Sequence, residues 1–386
     1  MSEFDPAHHL PDALLERIRE RASVHDRENT FPQDDLDELR GAGYLSILVP
    51  KDRGGAGLGL EQAAILQQRL ATASPATALA INMHLVWTGV AKVFSDRGVP
   101  GLEFVQDGAA AGELYAFGIS EGGNDLVLFG SDTDAAPQPD GGYAFTGTKI
   151  FTSLAPVWTR LGLHGLDTTS EDAPKLVFAF IDRTDAVVTS DDWDTLGMRG
   201  TQSRTTRMNG AVAKPEHIVR RIDPGPNPDP IVFGIFSAFE ILLASVYTGI
   251  ARRGLELAVA TAQKRTSKKT GKTYSQDPDI RWRIAEMALA YDALPPQISS
   301  LARDVDDRAD HGARWFTLLS GVKHRAVVMA KHVVDEAMLV AGGGSYFTSN
   351  ELSRLYRDVL AGMFHPSDPE SAHSTAASAW LGPIED

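Results

Sequence analysis

Apolar residues recur at helical spacing through the first 112 residues of the chain. The pattern predicts four helices there, at residues 13–27, 33–42, 61–72 and 75–93. From residue 113 to 224 it changes to short apolar runs separated by Gly, Asp and Pro, which is typical of strands and turns. From residue 225 onward the helical spacing returns, in segments at 231–266, 279–308, 313–340, 349–360 and 368–381.

These changes divide the chain into three predicted domains. Residues 1–112 form an N-terminal all-α domain, and residues 113–224 form a central β-barrel or sandwich domain in which Asp140-Gly-Gly142 marks a hairpin. Residues 225–386 form a C-terminal antiparallel four-helix bundle, because long helices follow one another with short connections. The predicted fold class is therefore α+β multidomain, in the order helices, strands, bundle.

Composition narrows the function classes. With 37 basic and 51 acidic side chains the net charge is −14, which argues against a general binder of nucleic acid or anionic membrane. The absence of cysteine excludes disulfides, thiolate metal sites and cysteine nucleophiles. The eleven histidines show no clustered ligand spacing, so we expect no metal. The N-terminus has no apolar leader and residues 231–250 are interrupted by polar side chains, so we expect a cytoplasmic protein without a membrane span.

Two motif searches give little support to other enzyme classes. No G-x-G-x-x-G string follows a strand and opens a helix, so a Rossmann dinucleotide site is not predicted. Gly118-Ile119-Ser120-Glu121-Gly122 fits the nucleophile elbow of hydrolases, which requires a helix directly after the serine. A β-like run at 126–129 follows instead, so a hydrolase is not favoured.

Five strings occur in a fixed order along the chain, at 116–125 (AFGISEGGND), 147–153 (GTKIFTS), 196–201 (LGMRGT), 340–345 (VAGGGS) and 354–358 (RLYRD). Together with the three predicted domains, they resemble the signatures of the acyl-CoA dehydrogenase flavoprotein superfamily over essentially the whole chain. The resemblance implies a homotetramer or homodimer that holds FAD between the β domain and the bundle.

The resemblance also implies site residues. Flavin needs backbone donors, hydroxyls and an aromatic wall, and the matching positions supply these types; the alternative is that they are ordinary residues of a β domain. The candidate cofactor-binding residues are Phe117, Ile119, Ser120, Phe151, Thr152, Ser153, Arg265, Gly342 and Gly343. Arg265 matches an arginine that reaches the flavin of another subunit in this family. Asn124 and His84 are candidate substrate-binding residues.

A basic stretch interrupts the acidic chain. No acidic residue lies between Glu256 and Asp277, whereas five basic residues lie between 264 and 272. Such a stretch suits a cofactor pyrophosphate or a CoA phosphate. A solvated surface loop is an equally good interpretation.

The sequence differs from the family pattern at the position of the catalytic base. Acyl-CoA dehydrogenation needs a carboxylate that removes the α-proton while hydride passes to the flavin. The usual glutamate position falls on Pro366 here. Glu240 is a candidate replacement because it lies in an apolar segment where a carboxylate is costly unless used or paired. Glu370 is another, although Ser367-Asp-Pro-Glu370 is typical of a helix start with a capping box.

The same departure supports a rival activity. Flavin-dependent monooxygenases that share the fold lack this glutamate and place a histidine in the region, which His365 matches; His84 is a second candidate. In those monooxygenases, histidine or serine donors stabilise the oxygen adduct of reduced flavin. We expect dehydrogenation of an acyl-CoA with FAD and an electron-transfer flavoprotein as acceptor. The alternative is a monooxygenase that uses FMN and a flavin reductase, or else a non-catalytic or hydrolytic relative.

Overall fold

The computed structural model describes residues 4–169, 174–382 and 384, and its elements follow the predicted order of helices, sheet and helices. The N-terminal helices are α1 Pro6–His9, α2 Asp12–Glu28, α3 Gln33–Gly41, α4 Leu60–Ala71, α5 Pro75–Asp96 and α6 Glu103–Ala110. Helix α5 is buried on nearly every side. It begins where the Ser74 hydroxyl accepts a hydrogen bond from the Thr77 amide, with Pro75 in the first turn, a combination that favours helix initiation.

The central domain is one mixed sheet of eight strands. Its strands are β1 Tyr115–Gly118, β2 Asp134–Pro137, β3 Tyr143–Thr152, β4 Arg160–Asp167, β5 Lys175–Asp182, β6 Val187–Thr189, β7 Arg204–Ala213 and β8 Ile218–Ile222. The order is β6-β7-β3-β2-β4-β5-β8, and β1 pairs in parallel with β4. Strands β2 and β3 form the predicted hairpin. The prediction of β-like structure at 126–129 is wrong, because these residues form turns and Val127 lies in the left-handed region at φ 47°.

The C-terminal helices are α7 Pro230–Lys264, α8 Pro278–Asp292, α9 Leu294–Asp306, α10 Arg314–Ala341, α11 Glu351–Val359 and α12 Pro369–Leu381. The single helix expected over 279–308 is two helices. They meet at Ala293, because Pro295 and Pro296 lack the amide donors that a continuous helix requires and instead occupy the first turn of α9.

Helix α7 is the common core of the two helical regions, since it packs against α10 as well as α4 and α5. Within the described residues it is the one helix long and apolar enough to cross a membrane, but 89% of that apolar window is buried inside the protein. It is therefore the core helix of the fold, as the polar interruptions predicted.

Gly162 of β4 makes a close contact that joins α5 to the sheet. A Cβ atom at this position would lie 2.4 Å from the indole ring of Trp87. We expect Gly162→Ala to lower the free energy of unfolding by about 1–3 kcal/mol through overpacking. Gly41→Ala is the control, because nothing lies within 4 Å of a Cβ there. Denaturant unfolding of both variants checks the prediction, and equal stabilities would contradict it.

Candidate functional site

The predicted flavin-contact residues lie where the end of β1 approaches the end of β3 and helix α7. The Ile150 amide donates to the Ser120 carbonyl at 2.9 Å, which places the residues after β1 beside the end of β3. On the other side, the rings of Phe117 and Phe239 stack with their centroids 5.5 Å apart. The structure thus brings the candidate residues from 117 to 120 and from 151 to 153 to one junction between the sheet and the C-terminal helices. We call this junction the crevice.

The end of β3 has a strained backbone. Phe151 and Leu154 have φ values of 57° and 64°, and across from them Met198 and Gln202 are also left-handed. Each such residue costs about 1–3 kcal/mol, and strain of this kind clusters at binding sites. The turn leaves the Phe151 ring 54% exposed, edge-on to Trp193 at 6.2 Å. An exposed aromatic surface at this point fits one wall of a flat ligand ring.

Hydroxyl groups line the same turn. The hydroxyls of Ser153 and Ser203 are 2.7 Å apart, and Ser203 donates in turn to the Thr201 hydroxyl. The Thr152 hydroxyl is buried and has no hydrogen-bond partner in the parts of the chain that the structure describes. A buried orphan hydroxyl calls for a further partner. These groups fit the polar edge of a flavin, as the resemblance implied.

A buried ion pair holds the two segments that supply these residues. The Lys149 ammonium donates to Glu121 Oε1 at 2.7 Å. Lys149 directly precedes Ile150 in the chain, and Glu121 directly follows Ser120. Burial raises the pKa of Glu121, but the Lys149 charge and several donors outweigh it and hold the pKa well below its usual range. Burial lowers the pKa of Lys149 to about 8, against the attraction of Glu121.

His164 extends this ion pair to the loop after β1. Its Nδ1 lies 3.1 Å from the Lys149 ammonium, and its Nε2 lies 2.8 Å from the Val127 carbonyl. Burial and the neighbouring Lys149 charge lower the pKa of His164 to about 3, so the ring is neutral and donates to Val127. The resemblance did not indicate these roles, although a lysine in an apolar strand such as Lys149 is itself a signal that a partner of opposite charge lies nearby.

The structure argues against the substrate role of Asn124. Its side-chain amide donates to Glu121 Oε2 at 2.7 Å and to the Gly130 carbonyl at 3.2 Å, and its Oδ1 accepts from the Leu126 amide. These bonds hold the loop that follows β1. Asn124 therefore shapes the loop.

His84 lies in the protein interior, among backbone groups. Its ring is fully buried, with Nε2 2.7 Å from the Leu45 carbonyl and Nδ1 accepting from the Tyr115 amide. Burial lowers its pKa to about 4. Both ring nitrogens thus bond to the backbone, which argues against the role of His84 in binding substrate.

Glu240 lies inside the bundle rather than on the crevice. It is 1% exposed, its Oε1 accepts from the Ser367 hydroxyl, and its Oε2 has no partner among the described residues. Burial raises its pKa to about 8, opposed by the Lys323 charge and by Ser367. This burial argues against the role of base, which needs contact with substrate. Helix α12 is capped by Asp368 and not by Ser367, so the expected capping box at 367–370 is wrong.

His365 follows α11 and keeps part of its surface exposed. Its Nδ1 lies 3.3 Å from the Tyr247 hydroxyl of α7. Surrounding protein and the Lys323 charge lower the pKa of His365 to about 3, so the ring is neutral near pH 7. The neighbouring Phe364 is 74% exposed, which makes this segment an apolar surface with one imidazole.

The segments 196–201 and 354–358, two of the strings that carry the family resemblance, contact each other. This contact holds the end of α11, and with it the segment of His365, against the β domain. The Asp358 carboxylate accepts from the Met198 amide at 2.6 Å, and Arg357 donates to the Leu196 carbonyl at 3.0 Å. A Cβ on Gly197 would lie 2.2 Å from the Arg357 carbonyl oxygen, so only glycine permits this approach. Because Trp193 precedes this contact and touches Phe151, the segment after α11 lies on the same side as the crevice.

Arg265, Gly342 and Gly343 form a separate cluster. Arg265 donates to the Ala341 carbonyl at 2.8 Å. Gly342 has a left-handed φ of 71°, and a Cβ atom at this position would lie 3.2 Å from the Arg265 guanidinium. Arg265 lies 25 residues after Glu240 along α7, which is roughly 37 Å at 1.5 Å per residue. These residues therefore lie too far away to touch a ligand in the crevice of their own chain. The basic residues Lys268, Lys269 and Lys272 belong to the same exposed end.

Comparisons with known proteins agree with this architecture. The family model "Acyl-CoA dehydrogenase, N-terminal domain" matches residues 10–95, and "Acyl-CoA dehydrogenase, C-terminal domain" matches residues 241–367, together more than half of the chain. The chain is 25% identical over 385 residues to a putative acyl-CoA dehydrogenase, YdbM, of Bacillus subtilis, with 95% of this chain and 94% of the relative covered.

Other relatives have different activities. The amino sugar nitrososynthase DnmZ of Streptomyces peucetius is 28% identical, with 92% of this chain and 88% of the relative covered. A dibenzothiophene monooxygenase of Rhodococcus qingshengii is 26% identical, with 93% and 88% covered. The solved structure of KijD3 with FMN and a dTDP-amino-keto sugar superposes with a TM-score of 0.87 at 26% identity, covering 100% of this chain and 96% of that one. The chain belongs to the acyl-CoA dehydrogenase family and is a flavin-dependent oxidoreductase of that fold.

Proposed function

We propose that this protein is a reduced-flavin-dependent monooxygenase that transfers oxygen to a nitrogen or sulfur atom of a small organic substrate. The observation that carries the proposal is the burial of Glu240, the best replacement for the missing family base. The names of the nitrososynthase and dibenzothiophene monooxygenase relatives support the choice of nitrogen or sulfur.

Other carboxylates near the crevice do not supply a base. Asp358 is buried and accepts from the Met198 amide, and burial raises its pKa to about 6. Glu370 lies on the exposed first turn of α12. His365 remains as the candidate, because its imidazole is neutral near pH 7 and keeps part of its surface exposed. This arrangement favours hydrogen bonding to an oxygen species over abstraction of an α-proton.

The bound flavin would supply the reduction of O2, and this chain's residues would hold and shield the reacting atoms. Phe151 forms an apolar wall, while Thr152 and Ser153 offer hydroxyls to the polar edge of the ring. If Nδ1 of His365 accepts from the Tyr247 hydroxyl, its Nε2 would carry the proton and could donate it to a hydrogen bond with a developing negative charge on oxygen. The exposed Phe364 ring next to it would offer an apolar surface to the substrate.

The cofactor and partners follow from this activity. FMN, present in the KijD3 complex, is our first choice and FAD the alternative. A separate flavin reductase would deliver reduced flavin, in place of an electron-transfer flavoprotein. We also propose a cytoplasmic homodimer or homotetramer. Exposed apolar side chains on the bundle, such as Trp282, Leu289 and Phe347, support self-association.

An anaerobic titration tests the proposal. We expect no member of an acyl-CoA panel to bleach the flavin absorbance of the wild-type protein or of Glu240→Gln. We expect the reduced protein, mixed with O2, to convert a sulfide or amine substrate to its oxygenated product, measured by mass spectrometry. If an acyl-CoA bleaches the wild-type protein but not Glu240→Gln, the activity is acyl-CoA dehydrogenation instead. The relative YdbM is named a putative enzyme of that kind.

A further inference from the structure

A single lysine makes three hydrogen bonds to the segment that carries His365. The Lys323 ammonium, on α10, donates to the carbonyls of Gly362 and His365 at 3.0 Å and of Ser367 at 3.1 Å. An ammonium has three donors, so this side chain is fully used. Lys323 is also almost completely buried, which is rare for a lysine.

A second tie holds the same segment from the opposite helix. The Ser367 hydroxyl donates to Glu240 on α7, and the Glu240 carboxylate supplies the negative charge that offsets the Lys323 ammonium. Burial lowers the pKa of Lys323 and raises that of Glu240, while the charge of each group opposes the shift of the other. A buried charge pair rarely stabilises a fold better than apolar side chains of equal size. What distinguishes these two buried groups is that their hydrogen bonds converge on the residues around His365.

We propose that Lys323 is a positioning residue that, with Glu240 and Ser367, clamps residues 362–367 and so presents the His365 imidazole to the crevice. The inference rests on the proposed function, because it assigns these buried groups to the histidine of that reaction. We call the three residues the clamp. Of the four hydrogen bonds, three involve His365 or Ser367, and the fourth ends on Gly362 at the start of the segment.

The groups around His365 come from every element packed against it. Helix α7 contributes the Tyr247 hydroxyl and Glu240, helix α10 contributes Lys323, and the start of α12 contributes Asp368 close to Lys323. Asp358 of α11 acts on Tyr247. Burial is the main reason that the pKa of His365 is lowered, and among these groups the Lys323 charge adds to that lowering. Removing Lys323 should therefore both loosen the segment and let His365 take up a proton more easily.

Lys323→Met tests the clamp by two measurements that need no substrate. The variant loses the three hydrogen bonds that the Lys323 ammonium donates to this segment. We therefore expect the amides of 362–367 to exchange with solvent roughly tenfold faster or more, while the amides of α5 exchange as in wild type. We also expect the pKa of His365 to rise in histidine-selective NMR. Lys331→Met on the same helix is the control, because Lys331 pairs with Asp335 at the surface and should leave both readouts as in wild type.

Ser367→Ala is a second variant that cuts the tie to Glu240 and spares the ammonium, for use if Lys323→Met does not fold. We expect faster exchange of the same segment and a smaller change in the His365 pKa. Unchanged local exchange and an unchanged His365 titration in a folded variant would overturn the clamp. Failure of the proposed function has a different signature, because the wild-type protein would then form no oxygenated product while the exchange and titration results stood.

Discussion

Lys149→Met should lower the free energy of unfolding by about 3–5 kcal/mol, because it leaves the buried Glu121 carboxylate without its cation. The substitution also removes the donor to His164, which in turn orients the Val127 carbonyl. The loop after β1 and the end of β3 would then lose their common anchor. We therefore expect weaker flavin binding as well as lower stability, measured by denaturant unfolding and by fluorescence titration with FMN.

The double variant Glu121→Gln/Lys149→Met separates the two effects. It leaves no unpaired charge, so we expect it to recover much of the lost stability. It cannot restore the contacts of the Lys149 ammonium with Glu121 and His164, which hold the loop after β1 against the end of β3, so flavin binding should stay weak. A single variant as stable as wild type would show that the pair contributes nothing to the fold, and full recovery of flavin binding in the double variant would show that the pair does not shape the crevice.

Much of the fold could be predicted because hydrophobic periodicity records which face of each element is buried. Helices α2 to α5 and the β2–β3 hairpin lie within a few residues of their predicted bounds. The prediction failed where a contact distant in sequence decides the local backbone. Val127 lies in a run of apolar residues typical of a strand, yet His164 bonds its carbonyl and the residue adopts a left-handed turn.

The candidate site shows the same limit. The resemblance grouped residues 117–120 with residues 151–153, and the structure brings these residues to one junction, while their contact with flavin stays a prediction. It could not decide the role of Glu240, because successive residues on a helix point about 100° apart. Phe239 faces Phe117 at the crevice, whereas Glu240 turns into the bundle and meets Ser367. Nothing in the local sequence indicated Lys323, whose partners lie about 40 residues further along the chain.

His365→Ala should reduce the rate of product formation by about 10²–10⁴-fold, the usual cost of losing one positioned proton donor. Flavin affinity and stability should change little, because the ring makes one weak contact, to Tyr247 at 3.3 Å. Single-turnover measurement of oxygenated product from the reduced protein and O2 gives the rate. His332→Ala is the control, since His332 is an exposed histidine on the outer face of α10 and should retain wild-type activity.

The pH dependence sharpens this prediction. Because the pKa of His365 lies at about 3, the ring stays neutral from pH 5 to 8. The wild-type rate should therefore show no titration near 6.5, the ordinary histidine value, whereas Lys323→Met should shift an inflection upward from low pH. A wild-type profile that bends near 6.5 would contradict the lowered pKa of His365. A His365→Ala variant as fast as wild type would remove the imidazole from the reaction and leave the Phe151 turn as a part of the site that supports flavin binding alone.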